Sequence, residues 1–256
     1  NYLEGKNADG SDIFVDVYEL ELNVKILSPS KRNPLPEANK PIAVCVEAME
    51  NQSISLYLNN NLLTNETASS ITYPLIPSEL DPGTYWIKAI AQNTQGETVK
   101  DSVSLYIRGS LIIETLPQGV KPGINYIDDN TVTLVLHDPP GLKQFVFAIG
   151  DHSNWKPSDQ TYMKQSPDGK YFWITLSGLT SGQEYAYQYY IDGKLKIADP
   201  YTEKILDPWN DKWISSATYP SLKPYPYDLT TGIVSVFQTN QPAYPWEVTS
   251  FVPTAI

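Results

Sequence analysis

One cysteine, two histidines and two methionines in 256 residues leave little for thiol or metal chemistry. Cys45 has no partner in the chain, so neither an intrachain disulfide nor a thiolate cluster can form. It stands in the apolar run IAVCVEA (42–48), where an inert core thiol is expected. His137 and His152 are too few for a histidine-rich site, and neither has a second ligand four positions away. No metal and no cofactor is therefore expected. Basic residues are scarce too: 18 Lys plus Arg stand against 29 Asp plus Glu, a formal charge of −11. That balance repels phosphate backbones and anionic bilayers, so nucleic acid is not an expected partner. No apolar run approaches the ~20 residues that span a bilayer, and no membrane insertion is expected. Asn1 does not open a charged-then-apolar leader; either the protein never carried one or it lies outside these residues. Helical periodicity is nearly absent, and so are G-x-G-x-x-G, Walker and G-x-S-x-G motifs.

What is plentiful is aromatic and turn chemistry: 18 Tyr, 6 Trp and 21 Pro. Short alternating runs recur between Pro, Gly, Asn and Asp punctuation, the pattern of half-buried strands. Residues 13–27, 42–48, 53–63 (a hairpin around three asparagines), 69–76, 83–93 and 97–107 form a first series. Residues 109–125 are glycine- and proline-rich and read as a stiff linker. A second series follows at 131–138, 143–150, 160–166, 170–178, 184–193 and 195–200, and from Tyr201 onward one weak strand, GIVSVFQ, interrupts an irregular aromatic segment. The expected fold is all-β: two consecutive immunoglobulin-like β-sandwich domains, residues 1–108 and 109–256.

Within the second half four segments occur in a telling order. They are Gly150-Asp151…Asn154-Trp155, Tyr171-Phe172-Trp173, Tyr187-Gln188-Tyr189-Tyr190-Ile191-Asp192-Gly193 and Ala198-Asp199-Pro200-Tyr201. Together they resemble carbohydrate-binding module family 48, which stands before the catalytic barrel in α-amylase family glycoside hydrolases. Residues 115–250 further resemble the region before the barrel in Bacteroidetes-type members, in which an immunoglobulin-like domain comes first. The resemblance implies a non-catalytic N-terminal region that orients a catalytic barrel and acts with α-glucans, in a secreted, periplasmic or outer-membrane-anchored protein. The barrel's strand-end motifs do not occur in these residues, and the barrel is expected to follow Ile256. The rival reading is a free-standing surface glycan-binding protein; an autonomous enzyme is a distant third.

The carbohydrate-binding candidates are Trp155, Trp173, Gln188 and Tyr190. By resemblance, Trp155 matches a tryptophan that stacks on glucose in glycogen-binding members, and it is expected to be partly exposed. Alternation in β-strands puts Tyr171, Trp173 and Thr175 on one face and Phe172, Ile174 and Leu176 on the other, so Trp173 is expected to face outward or toward the neighbouring domain. Tyr185, Tyr187, Tyr189 and Ile191 read as core, with Glu184, Ala186, Gln188 and Tyr190 opposite. Glycan-binding members often carry lysine where Gln188 stands, and tryptophan just after the Asp-Gly turn, where this chain has Leu195. α-Glucan binding is accordingly expected to be weak, about millimolar at best. Trp209, Trp213, Tyr225, Tyr227, Tyr244 and Trp246 could line a sugar groove or pad a surface that meets the barrel.

Overall fold

The computed structural model of the chain describes residues 5–6, 12–13, 21–30, 35–36 and 40–242. Two compact units, Asn1–Ile107 and Arg108–Ile256, each hold their own core. Both are β-sandwiches of the immunoglobulin-like class, with only short 3₁₀ turns as helix among the described residues.

In the first unit, β1 (Gly5–Lys6) and β2 (Asp12–Ile13) form a short antiparallel pair. The strands β3 (Asn23–Ser28), β4 (Ile42–Met49), β5 (Ser53–Leu58), β6 (Asn61–Glu66), β7 (Ser70–Leu75), β8 (Gly83–Gln92) and β9 (Thr98–Ile107) follow. They make one sheet in the order β3-β4-β7 and a second in the order β6-β5-β8-β9. Alternate residues drive the packing: Val44 and Val46 of β4 meet Ile54 and Leu56 of β5 and Ile87 of β8 in one apolar cluster. Cys45, between the two valines, lies on the opposite side and is only half-buried. The expected core thiol is thus displaced by the strand's two-residue period.

The second unit contains β10 (Gly123–Asp128), β11 (Thr131–His137), β12 (Val146–Gly150), β13 (Lys164–Gln165), β14 (Tyr171–Leu176), β15 (Glu184–Ile191), β16 (Leu195–Ile197), β17 (Lys204–Leu206) and β18 (Val234–Gln238). One sheet runs β10-β11-β14-β13, the other β12-β15-β18-β17, with β16 also on β15. Between them lie Val132, Leu134, Phe172, Ile174, Tyr187, Tyr189 and Phe237, so the expected core faces of β14 and β15 are observed.

Three local expectations change. The stretch 109–125 is more than a linker: Ile113 bridges Gln165, and Gly123 begins a strand that Asp129 and Asn130 turn into β11. Residues 160–166 do not form one strand. Tyr162 bridges Phe147 of one sheet and Lys164 pairs with Trp173 of the other, so the segment crosses between sheets. The weak strand near residue 234 is integral, since β18 pairs with both β15 and β17.

Candidate carbohydrate-binding face

The motif residues mostly bind one another. Gly150 lies opposite Tyr187, and a Cβ there would stand 2.2 Å from the Ala186 carbonyl oxygen, so only glycine fits. Asp151 turns its carboxylate back onto the sheet: Oδ2 accepts from the Ala186 N–H at 2.9 Å, and Oδ1 accepts from Trp155 Nε1 at 3.0 Å. Lys223 Nζ approaches Oδ2 at 3.0 Å. Asn154 and Trp155 both adopt left-handed backbone, φ +50° and +59°. That geometry costs about 1–2 kcal/mol per residue, and it folds the loop tip inward. Trp155, expected to be partly exposed, is 6% exposed. Its indole is a plug for its own sandwich, bonded at the nitrogen.

The alternating tyrosines and the Ala-Asp-Pro-Tyr segment form a second internal network. Tyr187 and Tyr189 each donate a hydroxyl to Asp199 Oδ2 at 2.8 Å, and the Tyr201 N–H donates to Oδ1 at 2.8 Å. Asp199 N–H in turn donates to Ser235 Oγ of β18 at 2.7 Å. Burial and the neighbouring carboxylate hold both tyrosine hydroxyls well above their ordinary pKa, so they stay protonated donors. Asp192, after β15, accepts from the N–H groups of Gln144 and Phe145 at 2.9 Å each, and so pins the entry to β12.

The other face of β15 carries Gln188 and Tyr190, and the chain covers it as well. Gln188 has no exposed surface. Its Nε2 donates to the carbonyls of Thr231 at 3.0 Å and Ile233 at 2.7 Å, while Oε1 accepts from Thr230 Oγ1 at 2.5 Å. Tyr225, 7% exposed, donates its hydroxyl to the Gly232 carbonyl at 2.7 Å. Residues 225–233 therefore form a roof on the sheet, with Gln188 as its central pin. A lysine has donors and no acceptor, so it cannot reproduce this set. Tyr190 is 3% exposed and donates to the Gly193 carbonyl at 2.8 Å; burial pushes its pKa up to about 12.

Trp173 is likewise covered by its own unit rather than facing outward. Its Nε1 donates to the Glu114 carbonyl at 3.1 Å, and Lys164 Nζ stands 4.6 Å from the ring centroid while pairing with the Glu114 carboxylate at 2.7 Å. All four expected sugar contacts are thus brought onto the sandwich and closed off. The sequence reading missed the agents of closure, Thr230, Lys223 and the 111–114 segment, which carry no motif. Among the described aromatic side chains, Trp209, Trp213 and Tyr227 are the most exposed, at 60%, 78% and 58%, followed by Tyr201, Trp86, Tyr126 and Tyr219. Tyr244 and Trp246 lie outside the described residues.

Each unit carries a surface depression of its own. One, about 540 Å³, is lined by His152, Ser158, Thr161, Thr175 and Leu179 and bears no carboxylate. His152 Nε2 binds the Ala148 carbonyl at 3.0 Å, and burial lowers its pKa, so the ring is neutral. The other, an open depression of about 910 Å³ in the first unit, carries Glu21, Glu50 and Glu97. Glu97 is held by Asn93 Nδ2 at 2.7 Å. Among the described residues no three His, Cys, Asp or Glu side chains converge to hold a metal ion, and no helix is long and apolar enough to cross a membrane.

No family model and no curated protein matches the sequence. Solved structures give loose likenesses. Fibronectin(III)-like modules of Clostridium thermocellum CbhA align at 16% identity over 68% of this chain and 88% of theirs, with a TM-score of 0.29. A pullulanase from Anoxybacillus sp. LM18-11 aligns at 16% identity over 65% of this chain, with a TM-score of 0.25. This chain spans only 25% of that enzyme. A Bacteroides ovatus protein from a mixed-linkage glucan utilization locus, solved with a heptasaccharide, aligns at 11% identity over 68% of this chain and 45% of its own, with a TM-score of 0.24. At TM-scores this low they say nothing of what the present chain binds.

Proposed function

We propose that the chain is a non-catalytic accessory region of an α-glucan-acting glycoside hydrolase. Its second sandwich is a closed relative of the family 48 module, serving to position a catalytic barrel rather than to hold sugar on its sheet. The observation that carries this reading is the roof. The four motif segments are present in order, yet Trp155, Trp173, Gln188 and Tyr190 are spent on the chain's own backbone and side chains. The protein would work outside the cytoplasm, beside polysaccharide. Incubation with soluble starch, pullulan and glycogen tests the first half of the claim: no new reducing ends are expected, and turnover surviving repurification refutes it. The gene beyond the Ile256 codon tests the second half. Barrel strand-end motifs there support the reading, and a stop codon refutes it.

A further inference from the structure

The second unit presents one aromatic surface that is built rather than left over. Residues 207–214 form a self-bonded turn: Asp211 N–H donates to the Asp207 carbonyl at 3.1 Å, Trp213 N–H to Asn210 at 2.9 Å and Ile214 N–H to Asp211 at 3.0 Å. Asp207 Oδ1 accepts from the Trp209 N–H at 2.8 Å, and Oδ2 accepts from Asn210 Nδ2 at 2.6 Å. Asp211 Oδ2 closes the ring by accepting from the Asp207 N–H at 2.8 Å. Trp209 and Trp213 both project into solvent from this one turn. Tyr227 joins them because its hydroxyl donates to the Pro208 carbonyl at 3.2 Å, and the buried Tyr225 ring backs it at 4.9 Å between centroids.

The backbone is held, and the tryptophan rings stand largely in solvent. Among the described residues neither tryptophan packs on another ring, and neither indole N–H has an acceptor. Lys212 Nζ lies 5.2 Å from the Trp213 centroid, and Asp211 and Asn210 share the same turn. Flat apolar faces, unspent donors and adjacent carboxylate and amide groups together suit a ligand with C–H faces and a hydroxyl rim. The chain's charge of −11 argues against an anionic ligand. The three exposed rings offer on the order of 400 Å², about half of the roughly 800 Å² that each partner buries in a stable protein pair. That is ample for two or three sugar rings. We propose that Trp209, Trp213 and Tyr227 form a binding platform for a neutral oligosaccharide, separate from the closed sheet face. The platform stands on this geometry alone; the choice of an α-glucan as its ligand rests on the function proposed above.

The test is a titration of the ¹⁵N-labelled chain with maltoheptaose and, separately, cellohexaose, followed at the six tryptophan indole N–H signals, which Trp→Ala variants assign. Maltoheptaose is expected to move the signals of Trp209 and Trp213 and leave those of Trp155 and Trp173 in place. Trp213→Ala is expected to weaken binding roughly fivefold, while Trp86→Ala on the first unit leaves it unchanged. Both tryptophans are exposed, so Trp209→Ala and Trp213→Ala are expected to retain the wild-type melting temperature. Binding that survives both substitutions, or no binding of either sugar, overturns the platform. Cellohexaose bound at these rings in place of maltoheptaose upholds the platform and overturns the α-glucan assignment.

Discussion

Replacing Gln188 by lysine, which brings donors but no acceptor, is the sharpest test of the closed face. The site gives Gln188 two acceptors, the carbonyls of Thr231 and Ile233, and one donor, the Thr230 hydroxyl. An ammonium satisfies the first two and leaves the hydroxyl unpaired where Gln188 has no exposed surface, a loss of about 1–3 kcal/mol. An uncompensated buried charge adds a penalty on the order of 3–5 kcal/mol. The chain has a cheaper escape, which is to let residues 225–233 detach, so the net loss is set by whichever is smaller. Urea unfolding of Gln188→Lys is expected to show a loss of about 3 kcal/mol. If the roof lifts instead, the loss is smaller and the backbone amides of 225–233 exchange fast. Gln188→Met, which keeps the length and removes every polar atom, should behave like the lysine variant. Stability within about half a kcal/mol of wild type, together with unchanged protection of 225–233, would show that Gln188 does not hold the roof.

Asp199→Ala strips the acceptor from two buried tyrosine hydroxyls and the Tyr201 N–H, and is expected to cost about 3–5 kcal/mol by chemical denaturation. Asp199→Asn keeps one acceptor oxygen and should lose less; equal losses would contradict the network. Gly150→Ala forces a Cβ against the Ala186 carbonyl and should cost about 3 kcal/mol or more, read as a fall in midpoint. The folded-state pKa values of Tyr187 and Tyr189 are raised above the unfolded value near 10, so the folded chain holds protons that the unfolded chain gives up. Stability is therefore full below about pH 10 and declines as pH rises through the folded values. A Tyr187→Phe, Tyr189→Phe double variant should show a flatter decline between pH 9 and 11, and an identical slope would assign the alkaline transition to other groups.

How far the sequence could be read depended on whether a residue's partner lay nearby along the chain. Alternation in residues 171–176 and 184–191 placed Phe172, Ile174, Tyr187 and Tyr189 in the core, because strand period alone decides which side faces the opposing sheet. The same alternation left Gln188 and Tyr190 looking solvent-facing. What covers Gln188 is an aperiodic segment more than forty residues later, held through its main-chain carbonyls, and carbonyls have no sequence signature. Trp155 had one local clue in Asp151, an acceptor four residues earlier. The two left-handed residues that deliver the indole to it are ordinary Asn and Trp in the sequence. The self-bonding of the DPWNDKW turn was equally latent, since its aspartates act on backbone N–H groups.

The position of β18 sets a schedule for the nascent chain. β12 pairs with the second half of β15 and β18 with its first half, and β18 is encoded some fifty residues later, with Glu184 opposite Gln238. Until Gln238 leaves the ribosome, β15 has one unsatisfied edge along Glu184–Tyr187, and Asp199 lacks the serine that receives its N–H. A bare edge of that kind recruits neighbouring chains, and synthesis at about 5–20 residues per second leaves it open for seconds. Any excised version of this sandwich that stops at the Ala-Asp-Pro-Tyr segment would make that interval permanent, and would be expected to aggregate through β15 rather than fold.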